Sequence, residues 1–214
     1  MTPRELLHDG AQELGISLTV DQVNTVFVYL AELKKWSQKI NLTAIKDERD
    51  IIIKHVLDSL SYLHGFTASP GLRLIDMGSG AGFPALPIKI ACPGISITMV
   101  ESVKKKASFL RHIIRTLKLT ETAVIDTRTE ELPVHLQSTF DIVTARAFAD
   151  MKSAIAKGMP LLNPGGSIVL SRGPEETINA QDLNMAGVSL ERRIGLTLPY
   201  SDYKRSIWIF KKAG

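Results

Sequence analysis

Gly78-Ser79-Gly80-Ala81-Gly82 constrains this chain more than any other stretch. It follows the apolar run Leu72 to Met77, whose acidic residue is Asp76, and a second apolar run, Ile95 to Val100, ends on Glu101. A hydrophobic strand that runs into alternating glycines lets the backbone come close to a nucleoside-bearing ligand, because a Cβ there would collide with it. An acidic residue ending the next strand is placed to accept hydrogen bonds from ribose hydroxyls. The pattern therefore points to a nucleoside-containing cofactor held at the end of a strand.

The glycine spacing bears on which cofactor. The dinucleotide fingerprint G-x-G-x-x-G/A ends in a small residue that seats the helix on the strand. Counted from Gly78, that position is Phe83, which is too large for the role. Pro84 and Pro87 follow, so a helix here begins late, with proline in its first turn. The order D-x-G-x-G-x-G, with Asp76 before Gly78, Gly80 and Gly82, is instead similar to the opening motifs of class I methyltransferases. Those enzymes hold S-adenosylmethionine, whose sulfonium and amino group suit carboxylates better than a pyrophosphate cradle does. A glycine cluster alone also marks a tight strand-to-helix turn; Asp76 and Glu101 are what favour the methyl donor over a nicotinamide.

The 214 residues suffice for one full domain with an extension. The single cysteine, Cys92, excludes a disulfide framework and fits a reducing compartment. Met1 to Gly15 carries Glu5, Asp9 and Glu13 and no unbroken apolar run, so neither a secretory signal nor a membrane span is expected. A cytoplasmic protein without a metal site is the expectation. The formal charge of +4 is unevenly spread. Basic residues gather at Lys34-Lys35 with Lys39, at Lys46, Arg49 and Lys54, and from Lys104-Lys105-Lys106 to Arg111 and Arg115. Any one cluster can be a solvated helix face. Several together, in a chain built for a nucleoside cofactor, favour a polyanionic substrate.

Along the chain, the first third reads helical. Thr2-Pro3-Arg4-Glu5 and Thr19-Val20-Asp21-Gln22 are capping boxes, and Val23, Val26, Phe27, Leu30, Leu33 and Trp36 repeat at helical spacing. A third helix is expected over Glu48 to Leu63, and Ser69-Pro70-Gly71 marks the junction with the main domain. This divides the chain into a helical extension, 1–68, and a catalytic domain, 69–214. From Leu72 onward, short apolar strands alternate with helical patterns, which argues for βαβ units and a parallel sheet. Strands are expected at Leu72–Gly78, Ser96–Glu101, Ala123–Asp126, Phe140–Ala145 and Ser167–Ser171, then a terminal pair at Arg193–Leu198 and Ser206–Lys211. Lys104 to Leu117 reads as a helix, and Asn163-Pro164-Gly165-Gly166 as a turn. Seven mostly parallel strands with an antiparallel terminal strand give an α/β, Rossmann-like fold of the class I methyltransferase type. Gly78, Glu101, Arg128 and Arg146 then fall at the carboxyl edge of the sheet, where ligands bind.

The chemistry narrows by residue type. Methylating carbon five of a pyrimidine needs a thiol nucleophile. Cys92, in Ala91-Cys92-Pro93-Gly94, is expected to end the first sheet helix away from the cofactor edge. Exocyclic amine methylation typically uses an Asp/Asn-Pro-Pro-aromatic tetrad, and Thr144-Ala145-Arg146-Ala147-Phe148 stands in its place. N7 of guanine is already a lone-pair nucleophile and needs only alignment.

These residues resemble one family, the GidB or RsmG methyltransferases of bacterial small-subunit ribosomal RNA, over nearly the whole chain. Lys35-Trp36 with Ile40-Asn41-Leu42-Thr43 is similar to its K-W-x-x-x-x-N-L-T, and Lys54-His55-Val56-Leu57-Asp58-Ser59 to its basic-H-hydrophobic-L-D-S. Asp76 to Pro84 resembles D-x-G-[ST]-G-x-G-[FL]-P, Arg128-Thr129-Glu130-Glu131 resembles R-x-E-E, and Ala145-Arg146-Ala147-Phe148-Ala149 resembles S/A-R-A-F/V-A. The resemblance implies methylation of guanine N7 in the 530 loop of 16S rRNA from S-adenosylmethionine, on rRNA or the small ribosomal subunit, by a monomer. It implies a cofactor pocket of Asp76, Gly78, Gly80, Gly82 and Phe83, with Glu101 on the ribose, Thr129 and Glu130 at the adenine, and Arg146 near the methionine moiety. Asn41, Arg128 and Arg146 become the candidates for positioning the RNA or the target base. His55 and Asp58, at i and i+3, are expected to fix their helix to the domain. Ala85, Arg172-Gly173 and Arg205-Ser206 depart from the residues common in the family, outside the cofactor motifs. A methyltransferase of another RNA or of a small molecule, a non-catalytic ribosome-assembly factor and a nicotinamide oxidoreductase stand as alternatives.

Overall fold

The computed structural model describes residues 1–146, 150–179 and 187–212. Helix α1 (Pro3–Glu13) starts at Thr2, whose side chain accepts from the Glu5 amide while Glu5 returns a bond to the Thr2 amide. Helix α2 (Val20–Ser37) opens with the same reciprocal pair, Thr19 and Gln22. Each box satisfies amides that the first helical turn leaves unpaired. The third helical stretch is not one regular helix. It begins as α3 (Glu48–Ile51), widens into a π-helical turn (Ile52–Leu57), returns as α4 (Asp58–Leu60) and tightens into a 3₁₀ turn (Ser61–Gly65). A π turn inserts a residue and re-aims the side chains around it. His55 lies within it.

The sheet follows, with β1 (Arg73–Met77), α5 (Ala85–Ala91), β2 (Ser96–Val100), α6 (Lys104–Thr116), β3 (Thr122–Ile125) and β4 (Phe140–Ala145). Then come α7 (Met151–Gly158), β5 (Leu162–Arg172), β6 (Val188–Thr197) and β7 (Lys204–Lys212). The strand order is β3-β2-β1-β4-β5-β7-β6. The pairs from β3 to β5 are parallel, whereas β7 runs antiparallel to both β5 and β6. The expected α/β architecture is present, with the antiparallel strand inserted between β5 and the edge.

Two strands each begin five residues earlier than their sequences suggest. Leu162 pairs with Phe140 and Ser167 with Ile142, so Asn163-Pro164-Gly165-Gly166 bulges within β5 rather than forming a turn ahead of it. Asp141 ties this bulge down, accepting from Asn163 Nδ2 at 2.9 Å and from the Arg73 amide at 2.8 Å. β6 begins at Val188, five residues before the expected start, because β7 supplies its partners across an irregularity between Leu190 and Arg192.

Side-chain alternation along the strands divides the core in two. Leu74, Ile97, Met99 and Ile142 face a cluster that includes Phe109 and Leu110 of α6, Ile88 of α5, and Leu7, Val26 and Leu33 of the first two helices. Ile75, Met77, Val143 and Ile168 face the other side, against Met151, Ala154 and Ile155 of α7. The helical extension therefore shares one continuous core with the sheet. Strand order reverses between β1 and β4, and the crevice beyond their carboxyl ends is where doubly wound sheets take ligands.

Candidate active site

Three residues of the glycine loop have positive φ: Gly78 at 70°, Gly80 at 58° and Gly82 at 99°. Their reasons differ. A Cβ on Gly82 would lie 2.3 Å from Leu86 Cδ1 and 3.2 Å from Leu110 Cδ2, so this glycine lets α5 and α6 close together. A Cβ on Gly80 would meet only the Gly78 carbonyl oxygen, at 3.9 Å, with open space beyond. The backbone of Gly80 thus borders open space, and its amide donates to Glu101 Oε2 at 2.8 Å. The other oxygen of Glu101 accepts from the Val103 amide at 2.7 Å. The glycine loop and the start of α6 are both tied to one carboxylate at the end of β2. Each oxygen keeps a second lone pair, which is what ribose hydroxyls require.

Asp76 lies beneath the loop, fully buried. Its Oδ1 accepts from Thr144 Oγ1 at 2.8 Å, across the β1–β4 pairing that sets these two residues side by side. Its Oδ2 is buried without a hydrogen-bond partner among the described residues. Burial is the main reason its pKa is pushed up to about 7. A buried carboxylate with one unpaired oxygen is suited to a cationic ligand group.

Next to the loop, a cleft of about 320 Å³ is lined by Gly78, Val100, Ser102, Thr127, Arg128, Thr129 and Glu130. Thr129 to Glu131 forms a 3₁₀ turn after β3. Glu130 pairs with Lys157, which chiefly holds its carboxyl below the usual range. Gly78, Arg128, Thr129 and Glu130 thus come together at one cleft. Ser102 and Thr127 join them, and only their adjacency to Glu101 and Arg128 could have signalled it.

Phe83 and Arg146 belong to a second cluster. Phe83 is buried, its ring 4.7 Å from the His55 ring in a stacked arrangement and 5.4 Å from Tyr29. The Arg146 guanidinium sits 5.6 Å from the Phe83 centroid. Arg146 Nη2 donates to the Lys54 carbonyl and approaches His55 Nδ1, both at 2.7 Å. Because arginine only donates, Nδ1 accepts, and His55 carries its proton on Nε2. That Nε2–H reaches Thr43 Oγ1 at 2.7 Å. Burial, with Arg146 beside it, lowers the His55 pKa to about 4, so the ring is neutral near pH 7. Asp58 completes the cluster: its Oδ2 is 3.5 Å from Arg146, while Oδ1 accepts from Arg205 Nε at 3.0 Å and from Ser171 Oγ at 3.3 Å. His55 and Asp58 hold the third helical stretch to the ends of β4, β5 and β7. The Nη1 atom of Arg146 is buried without a partner among the described residues.

Asn41 is exposed on the loop between α2 and α3. Cys92 caps the far end of α5, and burial raises its thiol pKa. Ala147, Phe148 and Ala149, part of the motif around Arg146, lie outside the described residues.

Comparison with known proteins supports the fold and gives the family. The TYW2 protein of P. horikoshii, solved in complex with MeSAdo, shares the fold with a TM-score of 0.58 at 14% identity, covering 73% of this chain and 62% of that one. A SAM-dependent methyltransferase from Aquifex aeolicus gives a TM-score of 0.56 at 13% identity, over 77% and 93% of the two chains. Among sequences, a ribosomal RNA small subunit methyltransferase G from Geobacter sp. (strain M21) is 41% identical over 208 residues, 95% of each chain. One of the same name from Acetivibrio thermocellus is 36% identical over 214 residues, covering 98% of this chain and 88% of its own. The family model described as GidB, rRNA small subunit methyltransferase G, matches residues 22–198. This chain belongs to the rRNA small subunit methyltransferase G family.

Proposed function

We propose that this protein transfers the methyl group of S-adenosylmethionine to N7 of a guanine in the 530 loop of 16S rRNA. Family membership supports the rRNA methyltransferase activity. The choice of guanine N7 is supported by one observation: among the described residues, the groups in contact with Arg146 offer neither a free base nor a thiol. In this reading the unpaired oxygen of Asp76 is taken by the cationic cofactor. Both nitrogens of His55 are engaged, and its pKa of about 4 leaves it a poor base. Both oxygens of Asp58 are committed to Arg146, Arg205 and Ser171. The one cysteine of the sequence, Cys92, lies about 10 Å along α5 from the glycine loop, at 1.5 Å per helical residue. An acceptor here must bring its own lone pair. Guanine N7 does, and the methylated purine keeps every proton while gaining a positive charge, so no residue has to receive one.

S-adenosylmethionine supplies an electrophilic methyl group on a sulfonium. The residues fit it. Asp76 Oδ2 would take the cationic end of its methionine moiety, and the free lone pairs of Glu101 would accept the ribose hydroxyls. Gly78, Thr129 and Glu130 would border the base. Gly80 leaves the space, and Gly82 and Phe83 hold the loop in place. Arg146, with Nη1 unpaired, would receive a carboxylate or carbonyl oxygen. Arg128 and Asn41, both exposed, are assigned to the RNA. Residues 1–68 present the substrate and residues 69–214 carry the transfer, in a monomer. The work is alignment, which alone supplies large rate factors for a nucleophile already in its reactive form.

The test is transfer of labelled methyl from S-adenosylmethionine to small subunits lacking 530-loop methylation, beside large subunits and tRNA. Label is then mapped by strand scission at N7-methylguanine. Label confined to that loop is expected. Label on tRNA or on free nucleosides would replace the substrate, and a protein that binds RNA but no cofactor would be an assembly factor.

A further inference from the structure

A second cleft, of about 330 Å³, opens in the helical extension between the end of α2 and the loop leading into α3. Leu33, Ile45 and Ile51 line it, and Lys34 and Lys46, both exposed, belong to its wall. Small-ligand pockets begin at about 300 Å³, so this one has room for a single compact group. Neither lysine has an ion-pair partner among the described residues, whereas neighbouring Lys35 and Lys54 pair with Glu32 and Asp50. Ser37 also lines the cleft, and its Oγ is buried without a hydrogen-bond partner among the described residues. An apolar wall, a spare hydroxyl and two free cations match one nucleotide: a planar base, its polar edge and its phosphates.

Thr43 connects this cleft to the active site. It lines the cleft, and its Oγ1 accepts from His55, whose other nitrogen accepts from Arg146. Three consecutive side chains therefore separate the cleft from the end of β4. We propose that the cleft captures one unstacked nucleotide of the same RNA whose guanine is methylated, its base against Leu33, Ile45 and Ile51 and its phosphates at Lys34 and Lys46. Single-stranded loops are read in this way, with bases splayed into pockets and the backbone held by cations. The inference rests on the RNA methylation proposed above and adds a subsite to it.

Two variants separate base capture from simple charge. Lys34→Ala/Lys46→Ala should raise the KM for small subunits and reduce the log–log salt slope of binding by about two, one for each phosphate no longer neutralised. Ile45→Trp fills the cleft and keeps both charges. It should raise KM about tenfold, the scale on which a single bound base acts, with the salt slope unchanged. In both variants kcat and cofactor affinity should stay within about twofold, because the subsite binds and does not react. Unchanged KM in Ile45→Trp would overturn the base pocket. A photo-crosslinking residue in place of Ile45, read without any methyl transfer, should label one RNA position near the 530 loop. Labelling of a ribosomal protein instead would overturn the nucleotide assignment. If the Ile45 crosslinking variant labels RNA while the wild type methylates nothing, the catalytic reading fails and the subsite stands.

Discussion

Arg146 Nη2 lies 2.7 Å from both His55 Nδ1 and the Lys54 carbonyl, so one guanidinium joins the end of β4 to the π turn of the helical extension. Asp58 stands one turn further along, 3.5 Å from the same nitrogen. All three contacts converge on Nη2, and the rigid plane of the guanidinium then holds Nη1, without a partner among the described residues, at a fixed place beside them. Lysine keeps the charge but has a single rotating ammonium. Arg146→Lys should therefore fold and bind RNA but lose about a hundredfold in single-turnover methyl transfer, the scale expected of small misplacements near a reacting centre. Unchanged turnover would show that Arg146 supplies only charge.

Much of this site was legible because it is local in sequence. Asp76, the glycines and Glu101 sit at the ends of two adjacent strands, and Thr129 with Glu130 follows the third. The capping boxes at Thr2 and Thr19 are complete within four residues and formed as read. The contact between Arg146 and His55 spans 91 residues and depends on a π turn that nothing in Ile52–Leu57 announces. The extra lengths of β5 and β6 come from partners on β4 and β7, which override the turn-like Asn163-Pro164-Gly165-Gly166. Thr144, which satisfies one oxygen of Asp76, becomes visible only when the β1–β4 register is known.

The glycine loop offers two substitutions with opposite signatures. Gly80→Leu places a side chain in the open space above the loop, at a φ of 58°. It should abolish S-adenosylmethionine binding in calorimetry while RNA affinity is largely kept. Gly82→Ala drives a methyl to 2.3 Å from Leu86 Cδ1 at a φ of 99°. It should instead lower stability, by about 1–3 kcal/mol for the overpacking, seen in thermal unfolding without ligand. If Gly80→Leu bound the cofactor normally, the pocket would lie elsewhere.

Asp76, if it holds the cation of the cofactor as proposed, should make cofactor binding depend on pH. Its pKa is raised from 3.8 to about 7, chiefly by burial, so the ligand-free protein holds the proton below that pH. The stability this confers is present below about 3.8 and lost as pH rises through about 7, where ionisation buries an unpaired charge. A cationic ligand reverses the preference by pairing with the ionised form. S-adenosylmethionine affinity should therefore rise up to about tenfold per pH unit on approaching pH 7 from below, then level off. Asp76→Asn should bind more weakly, with no such slope. A flat wild-type profile from pH 5.5 to 8 would remove Asp76 from the cation site.

Tyr29 shows how the extension supports the cofactor loop. From the middle of α2, its buried hydroxyl donates to the Ala81 carbonyl at 2.6 Å, and its ring packs 5.4 Å from Phe83. Burial holds the phenol pKa well above its ordinary value, so the hydroxyl remains a donor at every working pH. Tyr29→Phe keeps the ring and removes the donor, leaving a carbonyl inside the glycine loop unpaired. An unsatisfied buried acceptor costs about 1–3 kcal/mol, and each kcal/mol lowers the melting temperature of a chain this size by about 2–4 °C. The same change should weaken S-adenosylmethionine binding by a few-fold, because Ala81 lies between Gly80 and Gly82 in the loop proposed to hold it. Loss of stability with unaltered cofactor affinity would mean that α2 braces the core alone. Loss of both would place residues of the helical extension in control of the pocket they cover.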